Sequence, residues 1–455
     1  MSWYYLTTKI AVIGMGYVGI PAAALLADVD DFEVIGIQRQ SERSGWKIDA
    51  LNKGECPILN EPVLPDLIKR VVLEKKSFSV TDNTDVLKDM DYILIDVQTP
   101  TDPKTHEPLY KSLREVSATV AKKMKQGAVV IVESTVAPGT TEFIVKPILE
   151  ENSGKKVGKD FNLVFAYERV MVGRLIHNIV NYPRIIGGIT EECIQKGLWL
   201  YKHIVKEELI PVSATTAEVA KVVENTYRDV QIAFANEVAL ACESLNVNFN
   251  DVRKCVNSLP FNSNAYRDLH LPGAGVGGHC LPKDPWLLKF GVDTYGKTKV
   301  PFDVIVKARM RNEMMPNHML ELSEKATKEL QLDILSTKIA ILGASFIENS
   351  EDTRNSPTET FVKLLEEKGI KWSIHDPYVR PQEFPYPVSK NLDDVVQNAD
   401  ILVVFVKHKE YSSIKPQWLK EKMKHFIVID GRDLLNLTEF RESGFIAYGV
   451  GKPIN

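Results

Sequence analysis

Cysteine is scarce and scattered. Five occur in 455 residues, Cys56, Cys193, Cys242, Cys255 and Cys280. With no C-x-x-C pair among them, neither a disulfide framework nor a zinc ribbon is expected, and the compartment reads as a reducing cytosol. No charge sign is in large excess: 56 Lys and Arg stand against 60 Asp and Glu, a net of −4. That balance gives no footprint for nucleic acid or an anionic membrane surface. No window approaches the roughly 18 consecutive apolar residues of a membrane span. The opening MSWYYLTTKI lacks a basic segment followed by a cleavable apolar core, so a cytoplasmic protein is expected. Low-complexity segments are missing too. What remains is a composition ordinary for a soluble enzyme, 25% charged and 44% hydrophobic. At about 150 residues per domain the length predicts roughly three domains.

The apolar runs predict an α/β chain. Lys9–Ile13 ends in Gly14-Met15-Gly16-Tyr17-Val18-Gly19, and an Ala/Leu-rich helix, Ile20–Ala27, follows. Phe32–Ile37, Tyr92–Val97, Ala128–Glu133, Asn162–Ala166 and Arg184–Gly187 have the length and β-branched content of buried parallel strands. The last third repeats the pattern, with strands at Lys338–Leu342, Trp372–His375, Ile401–Val406 and Phe426–Ile429. Residues 83–97 (NTDVLKDMDYILIDV) also resemble residues 391–406 (NLDDVVQNADILVVFV). The fold expected is two Rossmann-like, doubly wound parallel-sheet domains joined by a long central helix and a helical region. Boundaries are placed at 1–212, 213–325 and 326–455. Thr215-x-x-Glu218 reads as a capping box opening a helix of about 30 residues and 45 Å to Asn246. Its apolar residues, Val219, Val222, Val223, Tyr227, Val230, Phe234, Val238 and Ala241, recur close to helical spacing, and such a helix can connect two domains and offer a homodimer face. A further helix is expected around Phe302–Ala326.

Two stretches carry chemistry. The G-x-G-x-x-G at 14–19, between a strand and a helix, predicts dinucleotide binding: glycines admit the pyrophosphate to the backbone and the helix N-terminus favours its charge. The acid that should end the second strand is replaced by Gln38-Arg39. Gln38 can bond a ribose hydroxyl without charge. Arg39 can pair with a 2′-phosphate, stack on adenine or face solvent, so NAD is favoured and NADP stays open. The second stretch is Gly273-Ala274-Gly275-Val276-Gly277-Gly278-His279-Cys280-Leu281-Pro282-Lys283-Asp284. Such glycine density is costly unless something must approach the backbone. Pro282 is well placed to begin a helix, which puts Cys280 near a helix N-terminus that favours thiolate. Cys193, Cys242 and Cys255 read instead as small buried hydrophobes. His279 beside Cys280 has no further ligands at suitable spacing, and no metal is expected. Lys221, Asn225 and Arg228 share one face of the long helix, and an ordinary solvated face is the plain alternative. An NAD enzyme with a nucleophilic cysteine can oxidise an aldehyde through a thiohemiacetal and a thioester.

At these residues the chain resembles the nucleotide-sugar 6-dehydrogenases, the UDP-glucose/GDP-mannose dehydrogenase family, over nearly its whole length. The markers are Gly14–Gly19, Val97-Gln98-Thr99-Pro100-Thr101, Glu133-Ser134-Thr135-Val136, Pro138-Gly139-Thr140-Thr141, Glu168-Arg169-Val170, Lys221-x-x-x-Asn225-Thr226, Gly277–Cys280 with Pro282-Lys283-Asp284, Asp352-Thr353-Arg354 and Asp430-Gly431-Arg432. The resemblance implies a four-electron oxidation of the C6 alcohol of a UDP-sugar to a uronate by two NAD molecules in turn. It implies Cys280 as nucleophile, Lys221 at the oxyanion, Asp284 and Thr135 holding water, and Glu168 assisting thioester hydrolysis. It places the cofactor against Gly14, Gly16, Tyr17, Val18, Gly19, Gln38, Arg39, Thr99, Pro100 and Thr135. The sugar nucleotide falls to Glu168, Arg169, Val170, Lys221, Asn225, Arg267, His270, Gly277, Phe346, Arg354 and Arg432. For Arg354 and Arg432 an interdomain salt bridge is the alternative. Glu168-Arg169-Val170 and Gly275–Cys280 look like the N-acetylhexosamine branch. UDP-N-acetyl-D-mannosamine is favoured there, with the N-acetylgalactosamine, N-acetylglucosamine and glucose nucleotides as rivals. Tyr167 and Val172 replace the branch's prolines, and Ile347 and Glu348 replace lysines after Phe346. Competing classes are a two-electron 3-hydroxyacid-type dehydrogenase, for which the cysteine loop has no use, and a non-catalytic nucleotide sensor.

Overall fold

The computed structural model describes residues 7–42, 44–58, 61–263 and 267–453. Most of the N-terminal segment read for a targeting signal, residues 1–6, lies outside them. The chain divides into two compact units: 1–223 with 286–300, and 224–285 with 301–455.

The first unit is built on a sheet of β1 (Thr8–Ile13), β2 (Phe32–Ile37), β3 (Phe78–Thr81), β4 (Tyr92–Ile95), β5 (Val129–Val132), β6 (Asn162–Phe165), β7 (Arg184–Gly188) and β8 (Leu209–Ser213). Their order is β3-β2-β1-β4-β5-β6-β7-β8. β4, β5 and β6 are buried throughout, which is why they read as unbroken apolar runs. The expectation of a wholly parallel sheet fails at one seam: β7 pairs antiparallel with β6 and parallel with β8. The connection into β7 holds one helix, Leu175–Asn181, which at seven residues rises only about 10 Å. The chain therefore pairs on its way back instead of crossing over. β3 and β8 are short or half-buried strands that hydropathy did not reveal.

The second unit carries β9 (Lys338–Leu342), β10 (Lys371–His375), β11 (Val388–Ser389), β12 (Ile401–Val404), β13 (Ile427–Asp430) and β14 (Ile446–Gly449), all parallel, in the order β11-β10-β9-β12-β13-β14. This matches the first six strands of the other sheet. The internal likeness reaches single hydrogen bonds. Asn83 and Asn391 each cap a short helix by accepting an amide two residues on. Asp91 and Asp400 each accept an amide at the start of the unit's first strand, Lys9 N at 2.8 Å and Lys338 N at 2.7 Å. Gly14 and Gly343 each leave that strand with positive φ and donate to the last residue of the second strand, at 2.9 and 2.8 Å.

The long helix runs Ala214–Ser244, 31 residues. Thr215 and Glu218 do not form its capping box. Ser213 Oγ accepts from Thr216 N at 3.1 Å, and Glu218 turns inward. The inner face of the helix buries Glu218, Thr226, Asp229 and Asn236 among Ala217, Val222, Ala233, Ala235 and Ala239, while Val219, Val223, Tyr227 and Phe234 are exposed. The helix expected at 302–326 is two, Asp303–Glu313 and Met315–Glu329, with Pro316 in the first turn of the second.

The duplicated aspartates predict unequal costs. Asp400→Ala leaves the Lys338 amide unsatisfied behind a side chain only 5% exposed, against 38% for Asp91. We expect a loss of about 1–3 kcal/mol for Asp400→Ala and under about 1 kcal/mol for Asp91→Ala, read by urea unfolding.

Candidate active site

The nucleotide loop is shaped by close packing. A Cβ on Gly14 would meet the Asp96 carbonyl oxygen at 1.9 Å, and one on Gly19 the Gly14 carbonyl oxygen at 2.0 Å. Gly16 differs: a Cβ there meets nothing within 4 Å. Packing thus forbids side chains at Gly14 and Gly19, whereas Gly16 leaves room for a ligand to reach the backbone at the start of the helix Gly19–Asp28. That arrangement fits a dinucleotide pyrophosphate. Tyr17 is exposed and Val18 half-buried beside it. Gln38 Oε1 accepts from Met15 N at 3.1 Å, so the residue after β2 braces the loop. Its Nε2 donates to Ser44 Oγ at 3.0 Å. Arg39 pairs with Glu115 at 3.2 Å on the surface. Asp96, beside the Gly19 amide, is pushed up to about 8 by burial and then by the Glu133 charge, so near neutrality its carboxyl adds little negative charge to the loop.

At the carboxyl ends of β4 and β5 the chain cross-links itself. Ser134 Oγ donates to Val97 O at 2.8 Å, and Thr99 Oγ1 donates to Thr135 O at 2.6 Å. Thr99 is buried, Thr135 half-buried and Pro100 exposed. Further along lies a buried charge cluster. Arg184, at the start of β7, pairs with both Glu133 and Glu168 and donates to Ala166 O at 2.8 Å. Tyr201 lies beneath its guanidinium, 3.7 Å from carbon to ring centroid, and donates to Glu133 at 2.7 Å. Lys221 Nζ donates to Glu168 O at 2.8 Å and stands 5.2 Å from the Tyr167 ring centroid. Tyr167, where proline was the norm of the resemblance, thus puts an aromatic face beside the lysine. Arg169 Nη1 donates to Pro183 O at 2.8 Å, and Val170 is half-buried. One turn before Lys221, the buried Glu218 accepts the amides of Gly139 at 2.6 Å and Thr141 at 2.7 Å. Burial pushes its carboxyl up to about 7.

In the second unit Cys280 is half-buried, and its carbonyl accepts from Lys283 N at 3.0 Å and Asp284 N at 2.9 Å. The helix opens at Asp284, two residues later than Pro282 implied, with Pro285 in its first turn. Asp284 is fully buried, and its Oδ2 accepts from Asn225 Nδ2 at 2.5 Å. The start of the cysteine loop is held by a buried chain: Arg309 pairs with Asp229, Asp229 accepts from Asn312, Asn312 accepts from Asn236, and Asn236 accepts the Gly273 amide at 2.9 Å. Arg432 donates to Phe405 O at 2.7 Å and Gly275 O at 3.1 Å, and burial brings its guanidinium down to about 10. Phe346 packs on Gly277 and Gly278. Arg354 is exposed and pairs with Asp352 two residues away. Among the described residues, then, both arginines have partners inside their own unit. His270 Nε2 lies 3.2 Å from Gln231 Oε1, and Arg267 is exposed.

Cys193 and Cys242 are buried as expected, but Cys255 is exposed, because the short helix Phe249–Val256 turns it outward. The sequence alone gives Arg184, Tyr201 and Asp229 no part in the site, and gives Glu218 only a place in a capping pattern. Glu133 stands out in the sequence only as part of a motif. A charged residue at a strand terminus or inside a helix stripe gives no hint of its burial. The one available signal was that Glu133 and Arg184 adjoin strands otherwise without charge.

Residues 8–205 match the NAD binding domain, 215–314 the central domain and 340–437 the UDP binding domain of the UDP-glucose/GDP-mannose dehydrogenase family. A UDP-N-acetyl-D-mannosamine dehydrogenase of Pyrococcus horikoshii is 37% identical over 98% of this chain and 99% of its own. One of Campylobacter jejuni is 33% identical over 90% and 97%. The crystal structure of an NDP-N-acetyl-D-galactosaminuronic acid dehydrogenase from Methanosarcina mazei superposes with a TM-score of 0.89 at 43% identity, covering 99% of this chain and 96% of that one.

The charge cluster generates a prediction about the site's foundation. Arg184→Met strands two buried carboxylates and is expected to cost about 3–5 kcal/mol. Adding Glu133→Gln should recover part of that loss, because one stranded charge is removed. Chemical denaturation of the single and double variants measures both.

Proposed function

The chain belongs to the UDP-glucose/GDP-mannose dehydrogenase family, and from that premise we propose that it oxidises the C6 alcohol of a UDP-N-acetylhexosamine to the uronate. At the coarser level it is an NAD-dependent UDP-sugar dehydrogenase, with an NAD binding domain and a UDP binding domain. NAD, when bound, accepts one hydride at each of two oxidations. The remaining chemistry falls to the chain's own residues.

The observation that carries the reading is the setting of Cys280. The residue is half-buried, its carbonyl accepts the amide that opens the helix Asp284–Tyr295, and that helix opens on a buried aspartate bonded to Asn225. A helix N-terminus favours an anion, here the thiolate. In this reading the sulfur adds to the C6 aldehyde to give a thiohemiacetal, loss of a hydride gives a thioester, and water releases the acid. Lys221, held by the Glu168 carbonyl, stabilises the oxyanion. Asp284 and Thr135 position the water and Glu168 assists hydrolysis. Asn225, Arg169, Val170, Arg267, His270, Gly277, Phe346, Arg354 and Arg432 receive the sugar nucleotide. The planar forks of Arg354 and Arg432 suit the diphosphate. Gly14, Gly16, Tyr17, Val18, Gly19, Gln38, Thr99, Pro100 and Thr135 line the cofactor. The surface pairing of Arg39 with Glu115 supports NAD over its 2′-phosphorylated form. Three functional parts, 1–212, 213–325 and 326–455, fit this division of labour.

The names of the relatives favour UDP-N-acetyl-D-mannosamine as substrate. The N-acetylgalactosamine nucleotide is the second reading, on the strength of the Methanosarcina mazei structure at 43% identity. A homodimer is proposed on the apolar stripe Val219, Val223, Tyr227 and Phe234, which the fold leaves exposed. A cytoplasmic location is proposed from the absence of a long apolar helix among the described residues together with the cysteine usage.

Wild-type enzyme, offered UDP-N-acetyl-mannosamine, -galactosamine, -glucosamine and UDP-glucose with NAD or NADP, should release two NADH per sugar with the first of these and little NADPH. Cys280→Ser should abolish uronate formation. One NADH per sugar with a carbonyl product, or full uronate yield from Cys280→Ser, rejects the mechanism. Separately, the double substitution Tyr227→Asp and Phe234→Asp should yield a monomer by light scattering.

A further inference from the structure

In the second unit, Asp376 follows β10 at the position Gln38 holds after β2. That is the place where doubly wound dinucleotide folds put the acid that binds ribose. Asp376 is fully buried and spent on the protein itself. Its Oδ2 accepts Ala344 N at 2.8 Å and Ser345 N at 3.2 Å, and its Oδ1 accepts Tyr378 N at 2.8 Å and Val379 N at 3.0 Å. His408, also fully buried, lies with Nε2 3.1 Å from Asp376 Oδ2 and Nδ1 2.9 Å from Asn349 N. A backbone N–H can only donate, so Nδ1 accepts and Nε2 carries the proton toward Asp376. Against the upward push of burial, the His408 bond and the loop amides hold the Asp376 carboxyl at about 2.

Three of these contacts, at Ala344, Ser345 and Asn349, fall on the segment 344–356, between β9 and the helix Pro357–Lys368, while Tyr378 N and Val379 N hold the other oxygen of Asp376 in its own turn. Asn349, at the segment's midpoint and with φ of 55°, is pinned a second time by accepting Lys409 N at 3.0 Å. The loop closes on itself through Phe346 N to Asp352 O at 3.0 Å. Its outer side carries Phe346 and Arg354. It also supports the cysteine loop: Asn355 Nδ2 donates to Gly278 O at 3.0 Å, Gly278 N donates to Arg354 O at 2.9 Å, and a Cβ on Gly277 would come within 2.5 Å of Phe346.

We propose that Asp376 and His408 form a positioning pair that sets the 344–356 loop for the nucleoside diphosphate end of the substrate, and with it the approach to Cys280. The inference rests on the reading that Phe346, Arg354 and Arg432 receive the uridine diphosphate. His408 touches no substrate in this account. Its contribution is the acceptor that fixes Asn349 and the donor that satisfies Asp376.

The two halves of that contribution separate by substitution. His408→Asn keeps an acceptor near Asn349 N, His408→Gln keeps a donor near Asp376, and His408→Ala keeps neither. In the full-length enzyme we measure KM for the UDP-sugar and for NAD, the Kd of UDP alone by calorimetry, and the melting temperature. His408→Ala should raise the UDP Kd and the UDP-sugar KM about tenfold, the loss of about one hydrogen bond, with KM for NAD unchanged. His408→Asn should bind UDP more tightly than His408→Gln. Unchanged UDP binding in all three variants, parallel increases in both KM values, or rescue by Gln but not Asn overturns the proposal. Should the alanine variant not fold, the Asn-against-Gln order at matched melting temperature decides. Wild-type enzyme that fails to bind UDP at all overturns the underlying reading as well, whereas binding unaffected by substitution overturns the positioning pair alone.

Discussion

A buried guanidinium ties together strand ends of the first unit. Arg184 reaches from the start of β7 to carboxylates that follow β5 and β6, and Tyr201 closes over its face. An ion of that size is tolerated in an apolar interior only when its hydrogen bonds are met on several sides. The pairs with Glu133 and Glu168 and the bond to Ala166 O tie three consecutive strand ends together. Glu168 is held by its side chain, so its carbonyl is fixed where Lys221 can bind it. The lysine inherits its position from a residue that a list of reactive groups omits.

Both sheets put their useful groups where parallel strands end, and they do so with a shared set of devices. The first strand leaves through a glycine, the fourth begins behind an aspartate that accepts an amide near the first strand's start, and the residue after the second strand braces the loop. The halves differ in what that brace leaves available. In the first, Gln38 takes one amide and Gly16 remains open to a ligand. In the second, Asp376 takes four amides and a histidine, so the equivalent crevice is filled by the chain's own loop.

Much of this was legible in the residues. Alternation of strand and helix, the glycine loop and the echo of 83–97 in 391–406 specify two sheets of one design, because buried parallel strands show as apolar runs and tight turns show as glycine. The antiparallel seam at β7 was not legible, since apolar runs carry no direction. Thr215 and Glu218 matched a capping pattern, yet a carboxylate three residues into a helix can serve a distant pair of amides equally well, and here it does. The break before Pro316 is written in the proline itself, which cannot continue a helix begun upstream. The pairing of Asn225 with Asp284 depends on tertiary placement that spacing along the chain does not encode.

The long helix mixes polar groups into its concealed side, among alanines and Val222, and leaves several large apolar groups outside. Its concealed side is stitched by Glu218, Asp229 and Asn236, each committed to named amides or to a guanidinium, while aliphatic and aromatic groups look outward. Oily contacts tolerate gradual drift, since one hydrocarbon replaces another at modest loss. Stitched contacts do not, because removing one end orphans the other. Divergence along this helix should therefore proceed by jumps on one side, with residues far apart in the chain exchanged together, and by slow erosion on the other.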